Sequence, residues 1–127
     1  KGNIDIEVYG ALKDNSIKNF KGTIDFKKGC KKAVGNENEY CMLLSKTAKS
    51  KALPMLLCSE DDVQGNHSNS AGRIDEDKLY YIMARGISKK DAQKLIVKAK
   101  FNGVIEKVQD EKLKQELIEI IDNKLDS

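Results

Sequence analysis

The hydrophobic period of this chain changes once, near Gly72, and that change limits the folds open to it. Before Gly72, short apolar runs stand between clusters of turn-forming residues. After it, apolar residues recur every three to four positions, the spacing of a helix face. Ile4–Val8 alternates as I-D-I-E-V, the pattern of a half-buried strand. Gly22–Phe26 does the same, with Thr23, Ile24 and Phe26 favouring extended backbone. Cys41–Leu44 and Met55–Cys58 are continuous apolar runs that suit strands with little solvent-facing alternation. Lys13–Ser16, Lys27–Lys32 and Gly35–Asn38 hold the turn residues and are expected to be loops. Pro54 is expected at the start of a strand, because it lacks the donor a central ladder position needs. Lys46–Lys51 reads as a solvated basic connector. Short strands at irregular spacing fit stacked β layers, and a β-sandwich fits the same pattern.

The second segment predicts three amphipathic helices. Asp75 is placed to cap the first, with Glu76 and Asp77 in its opening turn and Leu79, Ile82 and Met83 as its stripe. Arg85 falls in the last turn and Gly86 follows as the C-terminal glycine. Ser88-x-x-Asp91 is a capping box with a shortened acid and opens the second helix. Ala92, Leu95, Ile96 and Ala99 form its expected buried face; Phe101, Val104 and Ile105 extend it past the weak point at Asn102-Gly103. Asp110 opens the third, with Leu113, Leu117, Ile120, Ile121 and Leu125 in line.

Composition removes several function classes. A chain of 127 residues has room for one domain or two small ones. A net charge of +3 gives no strong field for nucleic acid or anionic membrane. No apolar run approaches the roughly 20 residues of a membrane span, and no signal peptide or lipidation motif is visible. The chain opens on Lys1 rather than Met, as a fragment would. Cys30, Cys41 and Cys58 cannot all pair within the chain, and an odd count without a secretory signal favours a reducing, cytoplasmic compartment.

Gly72-Arg73-Ile74-Asp75 is no phosphate loop, because the GxxxxGK[ST] spacing is missing; Arg73 is expected to pair with a nearby acid or a helix end. No Ser-His-Asp or Cys-His arrangement stands out, so no catalysis is expected. His67, the single histidine, follows Asp61-Asp62-Val63 in an expected loop, where a neutral imidazole can ligate a borderline metal or simply face solvent. Tyr80 and Tyr81 are adjacent, so they cannot both face a core.

The segments Gly72-Arg73-Ile74-Asp75-Glu76-Asp77, Leu79-Tyr80-Tyr81 and Ala84-Arg85-Gly86-Ile87-Ser88 carry a specific resemblance. With Lys94-Leu95-Ile96-Val97 and Phe101-Asn102-Gly103-Val104-Ile105-Glu106 they resemble the SufB/SufD family of iron–sulfur cluster assembly proteins. Asp61-Asp62-Val63 followed by His67 looks more like SufD than SufB. The resemblance implies an α+β chain: the end of a right-handed parallel β-helix over residues 1–72, then a three-helix subdomain over 73–127 that docks the SufC ATPase. It implies a non-catalytic scaffold of the SufBCD complex, pairing with SufB or a second SufD-like subunit through the β-helix. Tyr80, Tyr81, Arg85 and Gly86 are then the SufC-binding candidates. His67 falls on the histidine implicated in cluster assembly at the SufB–SufD interface, where an Fe–S cluster is expected rather than on this fragment alone. Cys41 and Cys58 are weaker candidates. Where SufB carries its glutamate after that histidine this chain has Ser68, and Glu39 falls near the SufB assembly cysteine. The alternatives are a SufB-type scaffold that ligates a nascent cluster itself, and a generic helical interaction module.

Overall fold

A computed structural model describes residues 1–126. The class is α+β: five parallel strands, then three helices. The chain divides into two compact units, Lys1–Arg73 and Ile74–Ser127.

In the first unit β1 (Asn3–Leu12), β3 (Ala33–Leu43) and β5 (Val63–Arg73) form one sheet, in that order. β2 (Ile17–Phe26) and β4 (Lys49–Cys58) form a second. Asn3 pairs with Val34, Ile17 with Lys49 and Ala33 with Val63, so each strand meets its partner 30–32 residues on. Turns also meet turns. Ser45 and Thr47 hydroxyls donate to the Asp14 carbonyl, and the Lys32 amide donates to the Asp62 carbonyl at 2.6 Å. The apolar centre is Ile24, Phe26 and Ala33, with Ile6, Cys30, Leu56 and Val63 packed around it.

Several local expectations fail here for one reason: cross-strand contacts outweigh local preference. Gly35–Asn38 is not a loop but the middle of β3. Its glycine is required, because a Cβ on Gly35 would lie 2.9 Å from both Ile24 and Phe26. Its asparagines are satisfied sideways: Asn36 donates to Asp5 at 2.6 Å and accepts from Asn66 at 3.0 Å, and Ser68 donates to Asn38 at 2.7 Å. The same ladder makes a strand of Val63–Arg73, which has almost no apolar alternation. His67 therefore sits in a strand rather than a loop, and Arg73 closes that strand without an ion pair among the described residues. Lys49–Lys51 belongs to β4, not to a connector. Pro54 lies in mid-strand, opposite Gly22; β4 has a partner on one side only, so a missing donor is tolerated there.

The second unit holds α1 (Glu76–Met83), α2 (Lys89–Ile105) and α3 (Glu111–Asp126). Asp75 caps α1 as expected, accepting from the Asp77 and Lys78 amides. The Ser88 hydroxyl accepts from the Asp91 amide at 3.1 Å and donates to its carboxylate at 2.6 Å. α1 ends earlier than the sequence predicts: Ala84 is the C-cap, Arg85 lies beyond the helix, and Gly86 takes its positive φ of 85° two residues past the cap. The buried face of α2 is also rotated. Ala92, Val97 and Ile105 are buried, while Leu95 and Ala99 are exposed. No described residue of α3 is fully buried. Among the described residues no helix is long and apolar enough to cross a membrane.

Candidate functional site

Side chains of odd-numbered β3 residues point between the sheets. Gly35, Glu37, Glu39 and Cys41 are all buried, although two of them are acids. Glu39 pairs with the Lys18 ammonium from β2. Glu37 lies against Gly22, where a Cβ would collide with its carboxylate. Its Oε2 has no hydrogen-bond partner among the described residues. Cys41 is fully enclosed, packed with Lys18 around Gly10. Sequence reasoning placed Glu39 only by resemblance and missed Glu37, because asparagines flank it. The available signal was the even spacing of Glu37, Glu39 and Cys41.

β3 and β5 pair Glu37 with His67 and Cys41 with Ala71. His67 is exposed and shares the face of Glu37. Cys41 and His67 are not brought together: four residues of strand, about 13 Å, separate their registers. Cys58 is exposed on β4, in the other sheet, opposite Phe26. Among the described residues no three His, Cys, Asp or Glu side chains converge as a metal site.

On the helical unit Tyr80 and Tyr81 are both exposed, at 75% and 62%. The Arg85 guanidinium stacks 3.7 Å from the Tyr81 ring centre, donates to the Tyr81 carbonyl at 3.1 Å and to its hydroxyl. Such a stack holds Tyr81 rigid, so less freedom is lost when it is covered. A shallow groove beside it is lined by Asp77, Lys78, Tyr81, Ile82 and Ile96. Gly86 is exposed and its role is the turn into Ser88.

Ion pairs join α3 to α2. Lys94 contacts Asp126 at 2.7 Å and Asp122 at 3.6 Å, and Lys98 contacts Asp122 at 2.8 Å. The hydrogen bond from Lys98 holds the Asp122 carboxyl below its ordinary range, and that from Lys94 does the same for Asp126. Lys94 is raised in return, chiefly by its bond to Asp126. A depressed carboxyl stabilises above its unfolded value, about 3.9, and that contribution is lost as pH falls through the lowered value. A raised lysine stabilises below its ordinary value and loses that contribution as pH climbs through the raised one. The α2–α3 contact is therefore expected to hold from about pH 4 to 10 and to loosen on acidification below that window. Far-UV circular dichroism and the Asp122 and Asp126 carboxyl shifts by NMR check this. High salt should weaken the contact at neutral pH, since the groups are solvent-facing.

Residues 1–100 match the sequence profile described as SUF system FeS cluster assembly, SufBD core domain. The chain is 34% identical over 117 residues to the iron–sulfur cluster assembly protein SufD of Bacillus subtilis, covering 92% of this chain and 27% of that protein. It is 33% identical over 106 residues to SufD of Escherichia coli, covering 84% and 25%. A SufBD family protein of Pyrococcus horikoshii is 37% identical over 68 residues, 54% of this chain and 15% of that one. The chain thus spans about a quarter of the length of the two SufD relatives. With a profile match over most of its residues and SufD proteins among its relatives, the chain belongs to the SufB/SufD family of iron–sulfur cluster assembly proteins and is a SufD-like part of such a protein.

Proposed function

We propose that this chain is the C-terminal part of a non-catalytic, cytoplasmic SufD-type scaffold in the SufBCD complex. Its strands are the last turns of a right-handed parallel β-helix, and its helices dock the SufC ATPase. The supporting observation for the β-helix is the constant advance of 30–32 residues between parallel partners, with turns bonded to turns. In a longer parent protein, further strands would pair with the free sides of β1 and β2 in the same way.

For the helices, the support is the exposed cluster of Tyr80 and Tyr81 on α1 with Arg85 just beyond its end. Tyrosine and arginine are the residue types that anchor protein interfaces, and here both rings are exposed with Arg85 stacked on one of them. SufC supplies the nucleotide chemistry, and this chain transmits its motion to the β layers. SufB or a second SufD-like subunit packs beside β5, where His67 takes part in assembling the cluster, which is cargo.

The test is co-elution of purified chain and its SufC from a sizing column at moderate salt. A complex is expected. Separate elution of two folded proteins counts against the reading.

A further inference from the structure

Two apolar rows on this chain lie open to solvent, and their borders carry opposite charge. The first is on the outer face of the two-stranded sheet. Alternate β4 residues Leu53, Met55 and Leu57 point away from the core and are 63%, 52% and 43% exposed. Successive outward side chains on a strand are about 6.7 Å apart, so this row is about 13 Å long. Its border is basic. Lys51 continues the row, and Lys21 stands opposite Leu53 on β2. Both are exposed, as is Lys49, and none of the three has an ion pair among the described residues.

The second row is on α3. Leu113 and Ile120 are 45% and 54% exposed, and half-buried Leu117 lies between them. Seven residues of helix advance about 10.5 Å, close to the length of the row on β4. The side chains that pair with α2, Asp122 and Asp126, project from the opposite side of the helix. The border of this row is acidic. Glu116 is one turn from both Leu113 and Ile120, and Glu119 is exposed beside it. The Glu116 carboxylate is 4.0 Å from Lys112, and Glu119 accepts only a long bond from Gln115 at 3.4 Å, so both can take a further cation.

We propose that α3 of one copy of this chain lies on the outer β2–β4 face of a second copy. Leu113, Leu117 and Ile120 cover Leu53, Met55 and Leu57, while Glu116 and Glu119 approach Lys21 and Lys51. Exposed apolar patches commonly mark contact sites, and an amphipathic helix laid on apolar side chains is a recurrent mode of recognition. Rows of matching length and opposite charge within one sequence select a second copy as the occupant. The contact joins two different surfaces, so it closes on a pair by exchange or runs on from copy to copy. It uses neither the β5 edge nor Tyr80 and Tyr81, and stands apart from the docking of SufC.

Sedimentation equilibrium of the whole chain over a range of concentrations tests it. Association that rises with concentration and weakens at high salt is expected. Leu53→Thr with Met55→Thr suits a strand, and Leu113→Gln with Ile120→Gln suits a helix, so both remove apolar side chains and keep the local preference. Each double variant alone should be monomeric with the circular dichroism of the parent. An equimolar mixture of the two should form one-to-one pairs, because one intact sheet face and one intact α3 remain between them. Lys21→Glu with Lys51→Glu should weaken association about tenfold, and so should Glu116→Lys with Glu119→Lys. Mixing these two charge-reversed chains should restore it. If an apolar variant fails to fold, the charge-reversed pair decides, since it alters exposed side chains alone. A parent that is monomeric at every concentration overturns the proposal. Association that survives both apolar variants overturns it too, and places the contact at a sheet edge. Mixtures that fail to pair overturn the match of α3 to the sheet.

Discussion

Phe26→Ala is expected to lower the unfolding free energy by about 3–5 kcal/mol, the usual cost of emptying a buried aromatic site. The upper part of that range applies here. The Phe26 ring is 3% exposed and lies over two glycines, with Cζ 2.9 Å from the Gly35 Cβ position and Cε2 3.1 Å from that of Gly65. Neither glycine has a side chain that could relax into the hole, so the cavity stays open. Small domains are stable by about 5–15 kcal/mol in total, so this one change removes a large share. Urea unfolding followed by circular dichroism measures it, with the midpoint falling and the slope unchanged. A loss under about 1 kcal/mol would mean that the ring is not enclosed between the sheets. Gly35→Ala approaches the same contact from the other side and should cost about 1–3 kcal/mol by overpacking.

If the helices dock SufC as proposed, Tyr80→Ala with Tyr81→Ala is expected to weaken that binding by about 2 kcal/mol or more, roughly thirtyfold. Fold stability should move by only about 0.5 kcal/mol, because both rings are exposed. That separation is what makes the pair informative: a binding defect without a folding defect assigns the rings to an interface. Isothermal calorimetry against SufC, with circular dichroism as the folding control, reads both. Arg85→Ala should produce a smaller defect, since it acts by holding Tyr81 in place through the 3.7 Å stack. Binding within twofold of the parent for the double variant would place the docking face elsewhere on the helices.

The helical half was legible because its signals are local. Asp75 and Ser88 bond to amides two or three residues away, so cap and helix start can be read from a short window. The strand half was only partly legible. Ile4–Val8 and Gly22–Phe26 alternate and were found, though both strands run longer. Val63–Arg73 was missed because its polar side chains are satisfied by a strand some 30 residues earlier, which no local window contains. The site divides in the same way. His67 could be singled out by its rarity and Tyr80 and Tyr81 by their adjacency. Glu37 was hidden between asparagines that read as a turn.

The sequence alone determined where the chain passes from strands to helices, how the helices begin, and the family to which it belongs. Tertiary structure decided which polar residues are strand, that Leu95 rather than Val97 faces solvent, and that a glutamate is buried beside the only histidine. Caps and periodicity act within a few residues. Burial and pairing in this fold act across an advance of 30–32, where a neighbouring strand can overrule what glycine, asparagine and proline prefer by themselves.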